Sequence, residues 1–254
     1  RQLGNTGWSY DDVLPYFIRS EDQETGSDQF HGTGGGLSVQ SMRAKRDICE
    51  ALIAAAEEVG VPRNDDFNGT EQEGAGYFQQ TARNGRRCSA AVGFLNPVKS
   101  RPNLDIVTHA LVERVQINKG RAKGITTSVK GTTHTYELKP GGEIILSAGT
   151  IGSPQILQLS GIGPGELLKD MGIPVIKDLS GVGANLQDHL QIRTVFEVNV
   201  STFNEEINSF LGRMKIGMQY LLTRGGPMSM GASQVGIFAR SRPGLDTPDI
   251  QFHF

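Results

Sequence analysis

The chain has 254 residues, 37% of them hydrophobic and 20% charged, with a formal net charge of -2 at pH 7. That length holds ample core for one large domain or two smaller ones, and the near-neutral balance gives no electrostatic reason to expect nucleic acid or an anionic membrane as a partner. No apolar run approaches the ~18 residues of a membrane span.

The chain opens on Arg1 in mid-pattern and closes on the alternating, strand-like Asp249-Ile250-Gln251-Phe252-His253-Phe254, so both ends read as cut. Ser9 suits a helix cap, with Asp12 three residues on as its capping-box partner. Pro15 is expected to restart that helix rather than sit inside it. Residues 21–40 are polar and glycine-rich and read as loop. Residues 47–59 form the clearest helix, with Asp47 and Glu50 at capping-box spacing. Ile48, Leu52, Ala55, Ala56 and Val59 make its apolar face, and Gly60 and Pro62 end it. Cys49 falls on this helix. With only Cys88 as a possible mate, the expectation is two reduced core thiols in a cytoplasmic protein, peripheral membrane association being left open. Asn68-Gly69-Thr70 and Asn199-Val200-Ser201 match the glycosylation pattern without a visible signal peptide to give them weight.

From residue 103 to 148 the period shortens. Residues 104–107, 112–117, 122–129, 133–138 and 143–146 are β-rich runs. Asn118-Lys119-Gly120, Lys130-Gly131 and Pro140-Gly141-Gly142 separate them with hairpin chemistry. An antiparallel meander that returns to a buried, uniformly apolar strand points to an α/β fold with α+β elements. The chain leaves that strand through Ser147-Ala148-Gly149, where small residues let the backbone approach a flat ligand closely. Ser153 then suits an N-cap and Pro154 the first helical position. Ile156, Leu157 and Leu159 would bury this helix, and residues 161–165 would stop it. Beyond Asp188 the composition shifts. Residues 195–200 are a strand candidate, and from 205 to 222 the residues Ile207, Phe210, Leu211, Met214, Met218, Leu221 and Leu222 recur at helical spacing. That stripe either lines a substrate cavity or, as is commoner, faces a core.

Three glycine clusters invite a phosphate-loop reading, and context weakens each. His31-Gly32-Thr33-Gly34-Gly35-Gly36 has neither a strand before it nor a prompt helix after it, and reads as a flexible loop. In Gly161-Ile162-Gly163-Pro164-Gly165 the proline removes an amide donor that such a loop needs. Gly181-Val182-Gly183 follows a strand-like stretch, but Leu186 stands at the third glycine position. His31, His109, His134, His189 and His253 could each be nominated as a base, yet none has a partner at a telling spacing. No set of His, Cys, Asp and Glu shows metal-ligand spacing, so no metal is expected. Arg86-Arg87 read as a solvent-facing or ion-paired couple.

The stretch Gly149-Thr150-Ile151-Gly152-Ser153-Pro154-Gln155-Ile156-Leu157-Gln158-Leu159-Ser160-Gly161-Ile162-Gly163 resembles the second signature of the glucose–methanol–choline (GMC) family of flavin oxidoreductases. Further family-like segments follow in the family's order. They are Gly7-Trp8-Ser9-Tyr10 with Leu14-Pro15-Tyr16-Phe17, His31-Gly32-Thr33-Gly34-Gly35, Asp66-Phe67-Asn68-Gly69, Arg101-Pro102-Asn103-Leu104, and Gly181-Val182-Gly183-Ala184-Asn185-Leu186-Gln187-Asp188-His189.

The resemblance implies a central piece of an FAD-dependent alcohol dehydrogenase or oxidase, choline-dehydrogenase-like, that passes hydride from an alcohol to flavin. It implies a partial FAD-binding fold over residues 1–36 and 76–190. Residues 37–75 and 191–254 would belong to a substrate-binding sheet domain. Val112 is implied to touch the adenosine end of FAD through its main chain, with Ala148 and Gly149 as the next contacts. Trp8 would either meet the cofactor or pack in a core or lid, packing being the expectation. His189 would be structural. The family's dinucleotide fingerprint and catalytic histidine region have no counterpart here, so no catalytic residue is named, and these residues alone are expected to bind FAD weakly or not at all. The substrate would be a small alcohol, with the electron acceptor undefined. A non-redox lyase of the same fold and a non-enzymatic module remain as alternatives.

Overall fold

The computed structural model describes residues 4–231 and 233–254. In chain order its elements are α1 (Tyr10–Ser20), β1 (Glu21–Gln23), β2 (Leu37–Val39), α2 (Asp47–Glu58), β3 (Gly74–Tyr77), β4 (Ala82–Arg83), β5 (Arg86–Arg87) and a π-helical turn (Ala91–Leu95). Then come β6 (Ala110–Asn118), β7 (Arg121–Val129), β8 (Thr132–Glu137), α3 (Gly149–Leu159), β9 (Ile162–Gly163), α4 (Gly165–Asp170) and β10 (Lys177–Asp178). The last are α5 (Phe203–Asn208), α6 (Phe210–Thr223), β11 (Val235–Ala239) and β12 (Ile250–His253). Helices and strands mix as an α/β chain with α+β elements should. The chain forms two compact units, Arg1–Leu104 with Phe196–Phe254, and Asp105–Val195. Among the described residues no helix is long and apolar enough to cross a membrane.

In the first unit, β11 pairs antiparallel with both β3 and β12, and α2 packs against β3 and β11. The core holds Met42, Cys49, Ile53, Ala56, Ala75, Tyr77, Val235 and Ile237. Cys49, Ile53 and Ala56 lie on one side of α2, with Ile48 and Leu52 beside them. The buried face is therefore rotated from the expected one. Ala55 is exposed, and Val59 falls just past the helix end at 79% exposure. Arg46 holds the N-cap position, so Asp47 begins the helix, and Glu50 accepts from Arg63 at 3.2 Å instead of closing a capping box. Both cysteines are free and buried.

The Ser9 cap forms as expected. Its N–H and hydroxyl donate to Asp12 Oδ2 at 3.0 and 2.6 Å. Pro15 sits inside α1 rather than restarting it. It is on an exposed face, where water can satisfy the carbonyl that its ring leaves without an amide. The loop from 21 to 40 is framed by β1 and β2, which pair in parallel. It packs closely against neighbouring backbone. A Cβ at Gly32 would lie 1.8 Å from the Ile18 carbonyl oxygen, and one at Gly36 would lie 2.6 Å from that of Gly93.

Residues 195–200 form no strand. The helical stripe after them is broken at Ser209, whose backbone is extended and whose side-chain hydroxyl caps α6 by accepting from Gly212 N–H at 3.3 Å. Ile216 is the buried residue of α6. Phe210, Leu211, Met214, Met218, Leu221 and Leu222 are between 56% and 77% exposed, so the stripe is not core in this unit. Helical spacing identifies a face but not what the face meets.

The second unit is built on the antiparallel meander β6-β7-β8. Its two hairpins turn through Lys119-Gly120 and Lys130-Gly131, all four residues at positive φ between 49° and 81°. This is the geometry of tight hairpin turns matched to strand twist. Residues 104–107 and 143–146 join no ladder, against expectation. Ile145 is 82% exposed. An apolar strand of this kind needs a hydrogen-bonded neighbour on each side, and none lies along it among the described residues. α3 starts at Gly149 rather than after Ser153, and Pro154 lies inside it. Ser153 caps in the other direction, its hydroxyl accepting from Ala148 N–H at 2.9 Å. Ile156 is buried, whereas Leu159 is 45% exposed. α3 stops at Gly161, whose φ of +81° only glycine takes without strain.

Candidate cofactor-binding site

β6 is an outer strand of its sheet, hydrogen-bonded to β7 on one side only. Val112 lies on it, half-buried and opposite Thr127. α3 packs against β6, and the two are tied by Ser160, whose hydroxyl accepts from Val115 N–H at 2.8 Å. At the far end of α3, Ala148 and Gly149 are exposed. Gly149 has φ +80°, and no heavy atom comes within 4 Å of the place a Cβ would occupy. The first turn of α3 carries no acidic side chain, so its amide end is left positive. A cavity of about 600 Å³ adjoins this helix, lined among others by Thr150, Ser153, Gln158, Gly181, Gly183 and Asn185. Gln158 Nε2 donates to the Val182 carbonyl at 3.0 Å, and a Cβ on Gly183 would meet that nitrogen at 2.7 Å. The Gly181-Val182-Gly183 cluster is thus tied to α3 by close packing.

The groups on offer here are main-chain amides and carbonyls, small residues and an open edge. They suit a flat ligand with polar rims, such as a nucleotide. They do not suit proton transfer, because His134 and His189 are exposed and the nearest carboxylate oxygen to the His189 ring, on Asp188, is 4.0 Å away. His109 is also exposed, in the left-handed region at φ 55°.

The first unit holds a constellation that sequence spacing did not suggest. His31 is 5% exposed. Its Nδ1 lies 2.9 Å from Glu21 Oε2 and its Nε2 lies 2.9 Å from Asp66 Oδ2. Asp28 Oδ1 accepts from the N–H groups of Phe30 and His31, both at 2.7 Å, and so sets the turn that delivers the ring. Burial alone would push the imidazolium down. The hydrogen bonds to Glu21 and Asp66, and the charges of both, outweigh burial and raise it above the ordinary 6.5. The clamp lines a cavity of about 700 Å³ walled by Phe17, Phe30, Phe67 and Asn68. The partners stand 10 and 35 residues away along the chain. No local pattern could have paired them.

The remaining residues singled out by sequence are scattered. Arg86 and Arg87 are exposed on the β4–β5 hairpin, in agreement with the solvent-facing reading. They line a cavity of about 540 Å³ with Phe78, Met228, Met230 and His253. The His253 ring stacks on Phe78 at 5.5 Å between centroids. Trp8 is 77% exposed and does not pack in this unit's core. Arg46, which sequence did not nominate, is bidentate to Glu206 at 3.2 and 2.8 Å and lies over the Phe203 ring.

Solved proteins share this architecture. A structure described as an FAD-dependent oxidoreductase from Chaetomium thermophilum superposes on 93% of this chain with a TM-score of 0.83 and 32% identity, using 44% of its own length. Pyridoxine 4-oxidase from Mesorbium loti matches 69% of the chain at a TM-score of 0.64 and 30% identity, over 34% of its length. The fold is therefore one that flavin-dependent oxidoreductases use. The sequence profile of the GMC oxidoreductases matches residues 1–191, and the chain belongs to that family. A curated relative, the oxygen-dependent choline dehydrogenase of Rhizobium johnstonii, is 42% identical over 256 aligned residues, covering 100% of this chain and 46% of the relative. The chain spans about half the length of the curated relatives it matches.

Proposed function

We propose that this chain supplies the adenosine-side wall of the FAD site, together with part of the substrate domain, of an enzyme that oxidises a choline-like primary alcohol to its aldehyde. The observation that carries the reading is the open edge of β6 set against α3, in a chain that belongs to a flavin oxidoreductase family. Val112 would offer its main-chain groups to the adenosine end. Ala148 and Gly149 would allow the backbone a close approach, since a larger residue at either position would stand between chain and ligand. FAD, when bound, takes the hydride that the alcohol carbon gives up, and the protein supplies orientation and electrostatics. No residue described here is assigned a proton-transfer role.

The choline assignment leans on the 42% identical relative, whose name carries that substrate. The same names favour oxidation over the lyase and non-enzymatic alternatives. The assignment of residues 1–36 and 76–190 to the FAD domain, and 37–75 and 191–254 to the substrate domain, is supported for the second group by the ladder linking β3, β11 and β12 and by the packing of α2 on it. Exposed Ile145, Leu190 and the α6 stripe support a body in which further polypeptide covers these faces. The free, buried thiols support a reducing, cytoplasmic setting.

The test is anaerobic addition of choline and other small alcohols to the intact native polypeptide reconstituted with FAD. Choline should bleach the flavin. A flavin that stays oxidised with every alcohol would overturn the reading.

A further inference from the structure

The open edge of β6 does not present its peptide groups uniformly. Val115 N–H points away from β7, because its acceptor at 2.8 Å is the Ser160 hydroxyl on the α3 side. Ser160 is 5% exposed, and its own hydroxyl hydrogen goes to the Ile156 carbonyl. The pin is thus buried and fully used, between Val115 and Ile156, which are themselves buried.

Along a regular strand, successive residues aim their N–H and C=O groups at opposite sides. If β6 were regular, Val112, three residues before Val115, would turn its groups inward to β7. The ladder is not regular there. Val112 pairs with Thr127 and Arg114 with Thr126, and Glu113 is the extra residue between them. One extra residue reverses the alternation, which is how bulges beside functional sites re-aim a strand.

We infer that the Glu113 bulge, locked in register by Ser160, turns the main-chain N–H and C=O of Val112 out onto the open edge of β6 as a donor–acceptor pair for the rim of the adenine ring. The inference rests on the FAD reading given above and adds to it two positioning residues that need not touch the ligand. Ser160 serves twice. It satisfies the one buried edge donor that α3 would otherwise orphan, and it fixes which residues beyond the bulge face outward.

The experiment reconstitutes the apo form of the intact native polypeptide with FAD and, separately, with riboflavin, which lacks the adenosine end. Dissociation constants come from flavin fluorescence, and the thermal midpoint of each apo variant is recorded alongside. Ser160→Ala should weaken FAD about tenfold, roughly the worth of one hydrogen bond, and leave riboflavin within about twofold. Ser160→Thr, which keeps the hydroxyl, should restore most of the FAD affinity. Deleting Glu113 should weaken FAD at least as much as Ser160→Ala does. If that deletion does not fold, the Ser160 pair carries the test.

Unchanged FAD affinity in Ser160→Ala with a lowered apo midpoint would make Ser160 a structural pin only and overturn the inference. Equal loss of FAD and riboflavin would overturn it as well. Val112→Pro separates this from the parent reading, because it removes the edge amide itself. If Val112→Pro weakens FAD while the Ser160 variants do not, only the inference fails. If Val112→Pro leaves FAD untouched, the placement of the cofactor at β6 fails with it.

Discussion

His31→Gln should destabilise the first unit by an amount that shrinks as the pH rises. The side chains of His31, Glu21 and Asp66 are 6%, 17% and 32% exposed, so the clamp is mostly shielded from water. Removing one member of a buried charge pair costs about 3–5 kcal/mol. Two carboxylates left on the order of 8 Å apart repel by about 2 kcal/mol at an effective dielectric of about 20. Solvent reaches Asp66 and screens its share, and glutamine can replace one hydrogen bond. The expected loss is therefore about 2–3 kcal/mol near pH 6.

The sign of the pH dependence follows from the raised His31 pKa. A cation favoured in the folded state stabilises fully below the unfolded value of 6.5, and that contribution disappears as the pH climbs through the higher folded value. Urea unfolding followed by far-ultraviolet circular dichroism, on wild type and variant at about pH 6 and about pH 9, measures both quantities. The probe is chosen because Trp8, the only tryptophan, is 77% exposed and so a poor reporter of this core. A stability gap that is constant or widens with pH would show that His31 is held neutral, and the electrostatic account would fall.

Two further substitutions probe the same unit. Gly32→Ala places a methyl group 1.8 Å from the Ile18 carbonyl oxygen, so the backbone must shift, at a cost of about 3 kcal/mol in urea unfolding. A near-neutral result would mean that the loop is loose after all. Arg46→Met removes the partner that holds the Glu206 carboxyl below its ordinary 4.5. With Glu206 37% exposed, the loss should be only about 1 kcal/mol. It should be present above pH 4.5 and fade on acidification, because the depressed pKa stabilises only while the carboxylate is charged. A gap that grew at low pH would rule out the ion pair as its cause.

Much of the fold was legible locally. The turns at Lys119-Gly120 and Lys130-Gly131 announce the meander because few residue pairs accept two consecutive positive φ angles. The Ser9–Asp12 cap, the α2 helix and the alternation in β12 are likewise short-range patterns. Where a start or a face was misjudged, a particular side-chain contact decided, within a few residues for α3 and across the unit for α2. α3 begins early because Ser153 reaches back to Ala148 N–H, and the α2 face turns to bury Cys49 against the sheet of β3 and β11. The β6 edge sits between these cases. The β-rich run around Val112 is visible in the residues, but the bulge at Glu113 is a mismatch between two strands and exists only once they pair.

By itself, then, the sequence determined the family, the hairpins, the main helices and the small-residue turn at Ala148-Gly149, because each is written in neighbouring residues or in an ordered set of motifs. Only the tertiary structure decided that His31 is clamped between Glu21 and Asp66, that Ser160 pins β6 to α3, and that the α6 stripe and Ile145 face outward. Those outcomes depend on which backbone and side-chain groups meet across tens of residues, and hydrophobic spacing or motif order carries no information about the partner on the other side.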